Sequence, residues 1–128
     1  MSTAARRHAP HEVWDRLVRT ATSWPSTKDT LSYGAPSLKV NGRLFARIRG
    51  EADDMLVFAS TPEERRAWLE SGQRGLFTEA HYERFGHILA DPSVTDPGVL
   101  DELLDRAWEL TANRSTRAAR EAQGGSGA

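Results

Sequence analysis

The chain of 128 residues carries a net charge of −1, and its 38% hydrophobic and 27% charged residues are typical of one soluble globular domain. It contains no cysteine, which excludes disulfides, thiolate catalysis and cysteine-ligated zinc or iron–sulfur centres. No apolar run is long enough to cross a bilayer and the first ten residues lack the apolar segment of a signal peptide, so we expect a cytoplasmic protein with no membrane contact.

The charges are segregated along the chain. Residues 28–49 carry +4 and residues 50–113 carry −9, whereas the two ends, 1–27 and 114–128, carry +2 each. This distribution excludes a basic surface over the whole protein but allows a basic patch within residues 28–49. The arginines there have two interpretations: they protect a sheet edge from aggregation, or they form an anion-binding face.

The N-terminal part predicts a helix followed by two short strands. Residues 1–10 have the composition of a disordered start. Apolar residues then recur every four positions over His11–Ala21, which is helical spacing, and the helix should end before Pro25. Asp29–Tyr33 and Ser37–Val40 are expected to be short strands.

Asn41-Gly42 is a strong hairpin signal, because a type I′ turn needs positive φ at both central residues. Arg43–Arg49 should therefore form the next, longer strand, antiparallel to Ser37–Val40. An acidic turn follows at residues 50–54, and Met55–Phe58 has the composition of a buried strand.

The second helix has a well-marked start. Thr61 as N-cap, Pro62 at the first helical position and Glu64 at the third form a capping box, and Ser71-Gly72 should end the helix. The residues expected on its buried side are Trp68 and Leu69.

Residues 73–85 are compatible with a packed loop or with a short helix from Glu79, and a strand is predicted over His87–Ala90. Asp96 and Pro97 then begin the last helix, whose apolar residues fall on one side. The predicted buried residues are Val99, Leu100, Leu103, Leu104, Ala107 and Leu110, with Trp108 at the edge of the core. Residues 114–128 are expected to be a flexible tail, of which residues 118–122 could alternatively extend the helix.

This order of elements predicts an α+β fold, a single compact domain with an antiparallel sheet and helices packed on one face. The sequence also resembles the MmcQ/YjbR family of small bacterial proteins over about residues 10 to 113. The resemblance is carried by Tyr33-Gly34-Ala35-Pro36, Lys39-Val40, Gly42-Arg43 and Phe45-Ala46. It implies a CyaY-like domain over residues 11–113, likened to frataxin and to the double-wing DNA-binding domain, and it implies DNA as a partner.

No pattern of catalytic residues is found. The chain has neither a Gly-x-Ser-x-Gly elbow nor a glycine-rich phosphate loop. His8 and His11 have helical spacing, but His8 falls in the expected disordered start. His81 and His87 are more typical of packing or surface histidines than of metal ligands. We therefore expect no enzyme, no cofactor and no metal.

The hairpin supplies the candidate nucleic-acid-binding residues Lys39, Arg43, Phe45, Arg47 and Arg49. Strand alternation would place Arg43, Phe45, Arg47 and Arg49 on one side, which suits phosphates and a stacked base. A two-residue turn, however, would place Leu38 and Val40 on that same side and Lys39 opposite. Either a bulge shifts the register, or Phe45 belongs to the core and the arginines extend around it.

Three classes of function follow from these patterns. The first is weak, largely sequence-tolerant DNA binding through the basic hairpin. The second is a protein-interaction or small-ligand-binding module, suggested by the acidic helical half, which would attract a basic partner. The third is an enzyme, for which no residues are indicated. We expect a monomer in each case.

Overall fold

A six-stranded antiparallel sheet forms the centre of the molecule, in a computed structural model that describes residues 10–32, 34–49 and 53–124. The expected disordered start up to residue 9, Tyr33, residues 50–52 of the acidic turn and residues 125–128 of the expected tail lie outside these ranges. The elements described are α1 (Pro10–Thr22), β1 (Thr27–Ser32), β2 (Ala35–Val40), β3 (Arg43–Ile48), β4 (Leu56–Phe58), α2 (Pro62–Glu70), β5 (Leu76–Phe77), α3 (Ala80–Glu83), β6 (Ile88–Ala90), α4 (Pro97–Thr111) and α5 (Arg114–Ala122).

The strand order is β1-β2-β3-β4-β6-β5, and all neighbouring strands are antiparallel. The predicted α+β class is confirmed. The sequence did not predict β5, a two-residue strand at the sheet edge, but the predicted short helix from Glu79 is present as α3. None of the helices described is both long enough and apolar enough to cross a bilayer.

The main core lies between one face of the sheet and helices α1 and α4; we call this the helix face. Leu17 of α1, Leu100 and Leu104 of α4 and Phe58 of β4 are all fully buried in this core. Trp108 is 1% exposed and its indole Nε1–H donates to Thr27 Oγ1 at 2.7 Å. The expected place of Trp108 at the core edge is therefore wrong, since this hydrogen bond lets the whole indole be buried.

The opposite side of the sheet, the second face, carries a smaller apolar cluster. Val57 and Leu89 are register partners that alternate with core residues along β4 and β6. Tyr82 of α3 packs on them together with Phe77 of β5. The short helix α3 thus lies on the face that α1 and α4 leave open.

A β-bulge sets the geometry of the β2–β3 hairpin. Asn41 and Gly42 have φ of 53° and 76°, as the predicted type I′ turn requires. Val40 pairs with Arg43 and Lys39 with Leu44, but Leu38 pairs with Ala46, so Phe45 is an inserted residue. The sequence offered a register shift and a buried Phe45 as alternatives, and the structure shows both. The register shifts at the bulge, and Phe45 lies in the core at 1% exposure.

Helix α2 begins as predicted, with the Thr61 hydroxyl accepting a hydrogen bond from the Glu64 amide at 3.1 Å. Its packing differs from the expectation. No residue of α2 is fully buried, Trp68 is half-buried against the core, and Leu69 is 37% exposed. The helix contacts the β5 end of the sheet, so only a narrow side of it meets apolar neighbours.

The expected flexible tail from residue 114 is wrong up to Ala122, because these residues form helix α5. The backbone of Ala112 is extended, so α5 is a separate helix and not an extension of α4. Arg120 anchors it: its guanidinium carbon lies 4.1 Å from the ring centre of Trp24 and 4.9 Å from that of Trp108. The same guanidinium forms an ion pair with Asp105, with 3.0 Å between its Nη1 atom and Asp105 Oδ1.

Candidate nucleic-acid interface

The structure distributes the five predicted site residues over different environments. Phe45 is buried in the core, so its ring is not open to a base. Arg43 is exposed at the end of the hairpin, and its register partner Val40 belongs to the helix-face core. Because directly paired residues of a sheet project to the same side, Arg43 lies on the helix-face side. The predicted single arginine face is therefore wrong, since the bulge separates Arg43 from Arg47.

Arg49 is engaged by two carboxylates. Its guanidinium lies 2.6 Å from an Asp53 oxygen and 2.7 Å from a Glu79 oxygen, and its side chain is only 12% exposed. The hydrogen bond to Asp53 is the main cause that raises the pKa of Arg49, and the same bond lowers the pKa of Asp53. With two carboxylates already bound, Arg49 is poorly suited to binding a phosphate.

Lys39 and Arg47 share the second face, and sequence reasoning missed a third cation there, Lys28. Lys28 is the register partner of Lys39. The two lysines line a shallow depression of about 390 Å³ together with Thr30. Among the residues that the structure describes, no carboxylate forms an ion pair with Lys28, Lys39 or Arg47. Only the pairing of β1 with β2, which is not a local sequence signal, places Lys28 here.

A cleft of about 200 Å³ lies on the same face, beside the lysines. Leu44, the register partner of Lys39, lines it, so the depression and the cleft are separated by about one strand spacing, roughly 5 Å. Arg47 also lines the cleft and donates from Nη2 to the Tyr82 hydroxyl at 3.0 Å. The rest of its lining is formed by Phe45, Ala46, Val57, His81, Tyr82, Phe85 and His87. Because Phe45 is only 1% exposed, it contributes little surface to the cleft.

Four rings of the α3 region pack against one another around this cleft: His81, Tyr82, Phe85 and His87. Tyr82 meets both histidines edge to face, whereas Phe85 is tilted against them. The ring centres of His81 and Tyr82 are 4.9 Å apart, and those of Tyr82 and His87 are 6.0 Å apart. Phe85 lies about 6 Å from both histidines but is 55% exposed. The sequence predicted packing or surface histidines, and both histidines are walls of this aromatic cleft.

Arg65 of α2 holds the segment between α3 and β6 in place. Its Nη1 donates to the carbonyl oxygens of Tyr82 and His87 at 3.1 and 3.0 Å, and its Nη2 donates to that of Glu83 at 2.8 Å. Gly86 has φ of 74°, and a Cβ there would lie 3.0 Å from the carbonyl oxygen of Ser60. Backbone geometry and Arg65 therefore fix this wall of the cleft.

The cleft has a positive electrostatic environment. The pKa of His87 is lowered from its ordinary 6.5, first by burial and then by the positive charges of Arg47, Arg65 and His81. No residue of the described ranges hydrogen-bonds the buried Nδ1 atom of His87. The cations around this ring favour an anion over a metal ion as a neighbour, and no cluster of three or more His, Asp or Glu within the same ranges could hold a metal.

Cations without carboxylate partners bind phosphates, and exposed rings stack on bases. The second face combines both: Lys28, Lys39 and Arg47 supply charge, and Phe85 with His81 supplies ring surface. The arrangement is therefore suited to binding a phosphate-bearing, ring-containing molecule.

Comparisons with known proteins identify the family. A family model described as YjbR matches residues 22–110, whereas no curated protein matches the chain. The crystal structure of Deinococcus radiodurans protein DR2400, with a domain of the DUF419 family model, is similar, with a TM-score of 0.68 and 18% identity over 91% of both chains. That likeness shows a shared fold. Because the family model spans the domain from the end of α1 to the end of α4, this chain belongs to the YjbR family.

Proposed function

We propose that this protein binds DNA weakly and with little sequence preference, through the second face of the sheet. The observation that supports the proposal is the row formed by Lys28, Lys39 and Leu44 across β1, β2 and β3. It joins two lysines without carboxylate partners in the described ranges to the aromatic cleft beside Arg47. Phosphates would lie over the cations and a base would lie against the rings.

Single-stranded DNA suits this surface better than duplex. Proteins read duplex by inserting a helix or a β-ribbon into a groove, and the second face is a broad sheet surface flanked by α3. Single strands instead bind to positively charged surfaces with aromatic side chains on which unpaired bases stack. Phe85, at 55% exposure, is available for such stacking.

The acidic part of the chain, residues 50–113, supports a basic protein partner less well than its net charge of −9 suggests. Three of the four acidic residues on the outer side of α4 are already ion-paired: Asp101 with Arg16, Asp105 with Arg120 and Glu109 with Arg106. Much of the negative charge is thus satisfied within the fold, and the basic row is the stronger basis for a functional proposal.

A salt-resolved titration against oligo-dT and against duplex of equal length tests the proposal. We expect dissociation constants on the order of 10⁻⁶ M or weaker at physiological salt, since non-specific binding falls in this range. Affinity for oligo-dT should fall as salt rises and should exceed affinity for duplex. Absence of binding at low salt, or binding that ignores salt, would contradict the proposal.

Two single substitutions provide the matched control. Lys39→Gln removes a cation from the second face, and Arg43→Gln removes one from the opposite side of the same hairpin. We expect Lys39→Gln to reduce the salt slope by about 0.7, the value for one phosphate of a single strand, and Arg43→Gln to leave it unchanged. Equal effects would indicate that only the net charge matters.

A further inference from the structure

The aromatic cleft beside Arg47 differs from the rest of the second face in size and chemistry. Ligand sites for drug-sized molecules usually measure about 300–1,000 Å³. This cleft measures about 200 Å³, which restricts it to a ligand of roughly one ring system. Its floor is apolar, with Leu44 and Val57, and its walls are rings, so a planar ring would bury its faces against similar surface.

The exposed ring of Phe85 has no explanation in the packing of the fold. It is one of three exposed large hydrophobic side chains in the described ranges and belongs to neither of the two buried apolar clusters. Its neighbours are the two histidines and Arg84, whose guanidinium carbon is 5.7 Å from the ring centre. A ring inserted beside Phe85 would shield this apolar surface and gain a stacking contact.

Arg47 gives the cleft an anion-binding group. Within the described part of the chain its guanidinium donates one hydrogen bond, from Nη2 to the Tyr82 hydroxyl, whereas a guanidinium has five N–H donors. Asp53 and Glu79 are bound by Arg49, and Glu83 of α3 lines a different depression, beside α2. Arg47 therefore retains donors for a phosphate at the edge of a bound ring.

The charges around His87 support the same ligand. Burial, and after it the positive charges of Arg47 of β3, Arg65 of α2 and His81 of α3, lower the pKa of this ring, which lines the cleft. Positive groups that converge on one cleft favour an anionic ligand there.

We propose that the Arg47 cleft is a binding site for one nucleoside monophosphate unit, with its base between Phe85 and the floor formed by Leu44 and Val57, and its phosphate on Arg47. The choice of ligand rests on the proposed DNA binding. The unit can be one nucleotide of a single strand whose next phosphate reaches Lys39, or a free nucleotide. The shared chemistry is a planar base that carries a phosphate.

Proton NMR of the histidine and phenylalanine rings tests this site with dTMP as the probe. We expect saturable shifts at His81, His87 and Phe85. The bound dianion should also raise the pKa of His87, because it offsets the positive charges that lower it. Thymidine and inorganic phosphate, each alone, should bind at least about 10-fold more weakly than dTMP, since each lacks one of the two contacts.

Substitutions identify the contacts. Arg47→Gln should weaken dTMP binding by about 10-fold or more, and Phe85→Ala by about 5-fold or more through lost stacking. Phe85 is mostly exposed, so its removal should leave the melting temperature almost unchanged. Arg43→Gln is the matched control and should bind dTMP as the wild type does. Ring signals that do not move with millimolar dTMP, or equal weakening by Arg43→Gln, would overturn the proposal.

An oligo-dT titration monitored by the same signals separates the two proposals. Salt-dependent oligo-dT binding without shifts at His87 and Phe85 would overturn the cleft site while leaving DNA binding by the second face in place. Saturable dTMP binding in the cleft without any oligo-dT binding would support the site as one for free nucleotides and would refute the proposed DNA binding.

Discussion

Phe45 determines which face each cation of the hairpin occupies. Without an insertion, alternation would place Arg43 and Arg47 on the same side of β3. With Phe45 inserted, Leu38 faces both Phe45 and Ala46, and all three are buried in the main core. Arg47 is therefore on the second face while Arg43 is not. In the sequence, strand alternation and the two-residue turn predict conflicting sides for the hairpin residues. Only the packing of the Phe45 ring in the core decides between them.

Replacement of Phe45 should affect stability and not binding. Phe45→Ala should reduce the free energy of unfolding by about 3–5 kcal/mol, the usual cost of removing a buried aromatic ring. Chemical denaturation measures the change, and Phe45→Leu, which retains most of the apolar volume, should cost much less. Unchanged stability together with lost oligo-dT affinity would show that the ring contacts DNA instead.

The lowered pKa of His87 predicts a pH dependence of stability. The folded state resists protonation, whereas the unfolded state takes up a proton near the ordinary value of 6.5. The unfolding free energy should therefore fall as the pH drops below 6.5, until the folded-state pKa is reached. Asp53 and Glu64, whose pKa values are lowered from 3.8 and 4.5, lose their contributions only at more acidic pH.

Denaturant unfolding at a series of pH values from about 5 to 8 measures this effect, since that range includes ordinary histidine titration. His87→Gln should remove the decrease in stability that the wild type shows below pH 6.5. His11→Gln, at an exposed position of α1, is the control and should retain it. An identical pH profile for wild type and His87→Gln would refute the conclusion that the half-buried His87 ring resists protonation in the folded state.

At the scale of elements, the predicted helix starts are correct because their signals are local. Thr61 and Asp96 each accept a hydrogen bond from a backbone amide of the turn that they begin, and a cap depends only on the next few residues. Helix α5 also has a local cap, since the Asn113 side chain accepts a hydrogen bond from the Thr116 amide at 2.9 Å, but its sequence lacks the apolar stripe of α4. It is held instead by Arg120 against two indole rings and Asp105, which are contacts to distant parts of the chain.

Arg120 is expected to hold α5 on the domain. Arg120→Ala should lower the unfolding free energy by about 1–3 kcal/mol, through lost cation–π contacts and a lost, partly buried ion pair. Arg120→Lys keeps the charge but not the planar stacking, so its unfolding free energy should lie between those of the wild type and Arg120→Ala. Thermal melting followed by tryptophan fluorescence, which reports on Trp24 and Trp108, measures this. An unchanged melting temperature would mean that α5 is not anchored by Arg120.

At the scale of the whole molecule, the fold separates two surfaces. The helix face is covered by α1 and α4, whereas the second face presents the basic row and the aromatic cleft. The sequence predicted the α+β class and most elements, because periodicity and turn residues are local. It named Lys39 and Arg47 as candidate site residues without establishing that they share a side. It did not indicate Lys28, His81 or Phe85, since strand pairing and the position of α3 bring these residues to the same surface.

Two triple variants with the same loss of charge test whether the second face binds DNA. Lys28, Lys39 and Arg47 are changed to Gln in one. Arg19, Arg43 and Arg114, which are exposed and line neither the depression nor the cleft, are changed to Gln in the other. The salt dependence of oligo-dT binding is then measured for both. If the second face binds DNA, the slope should be smaller by about 2 for the first variant, since three phosphates contribute about 0.7 each, and nearly wild-type for the second. Equal slopes for the two variants would contradict it.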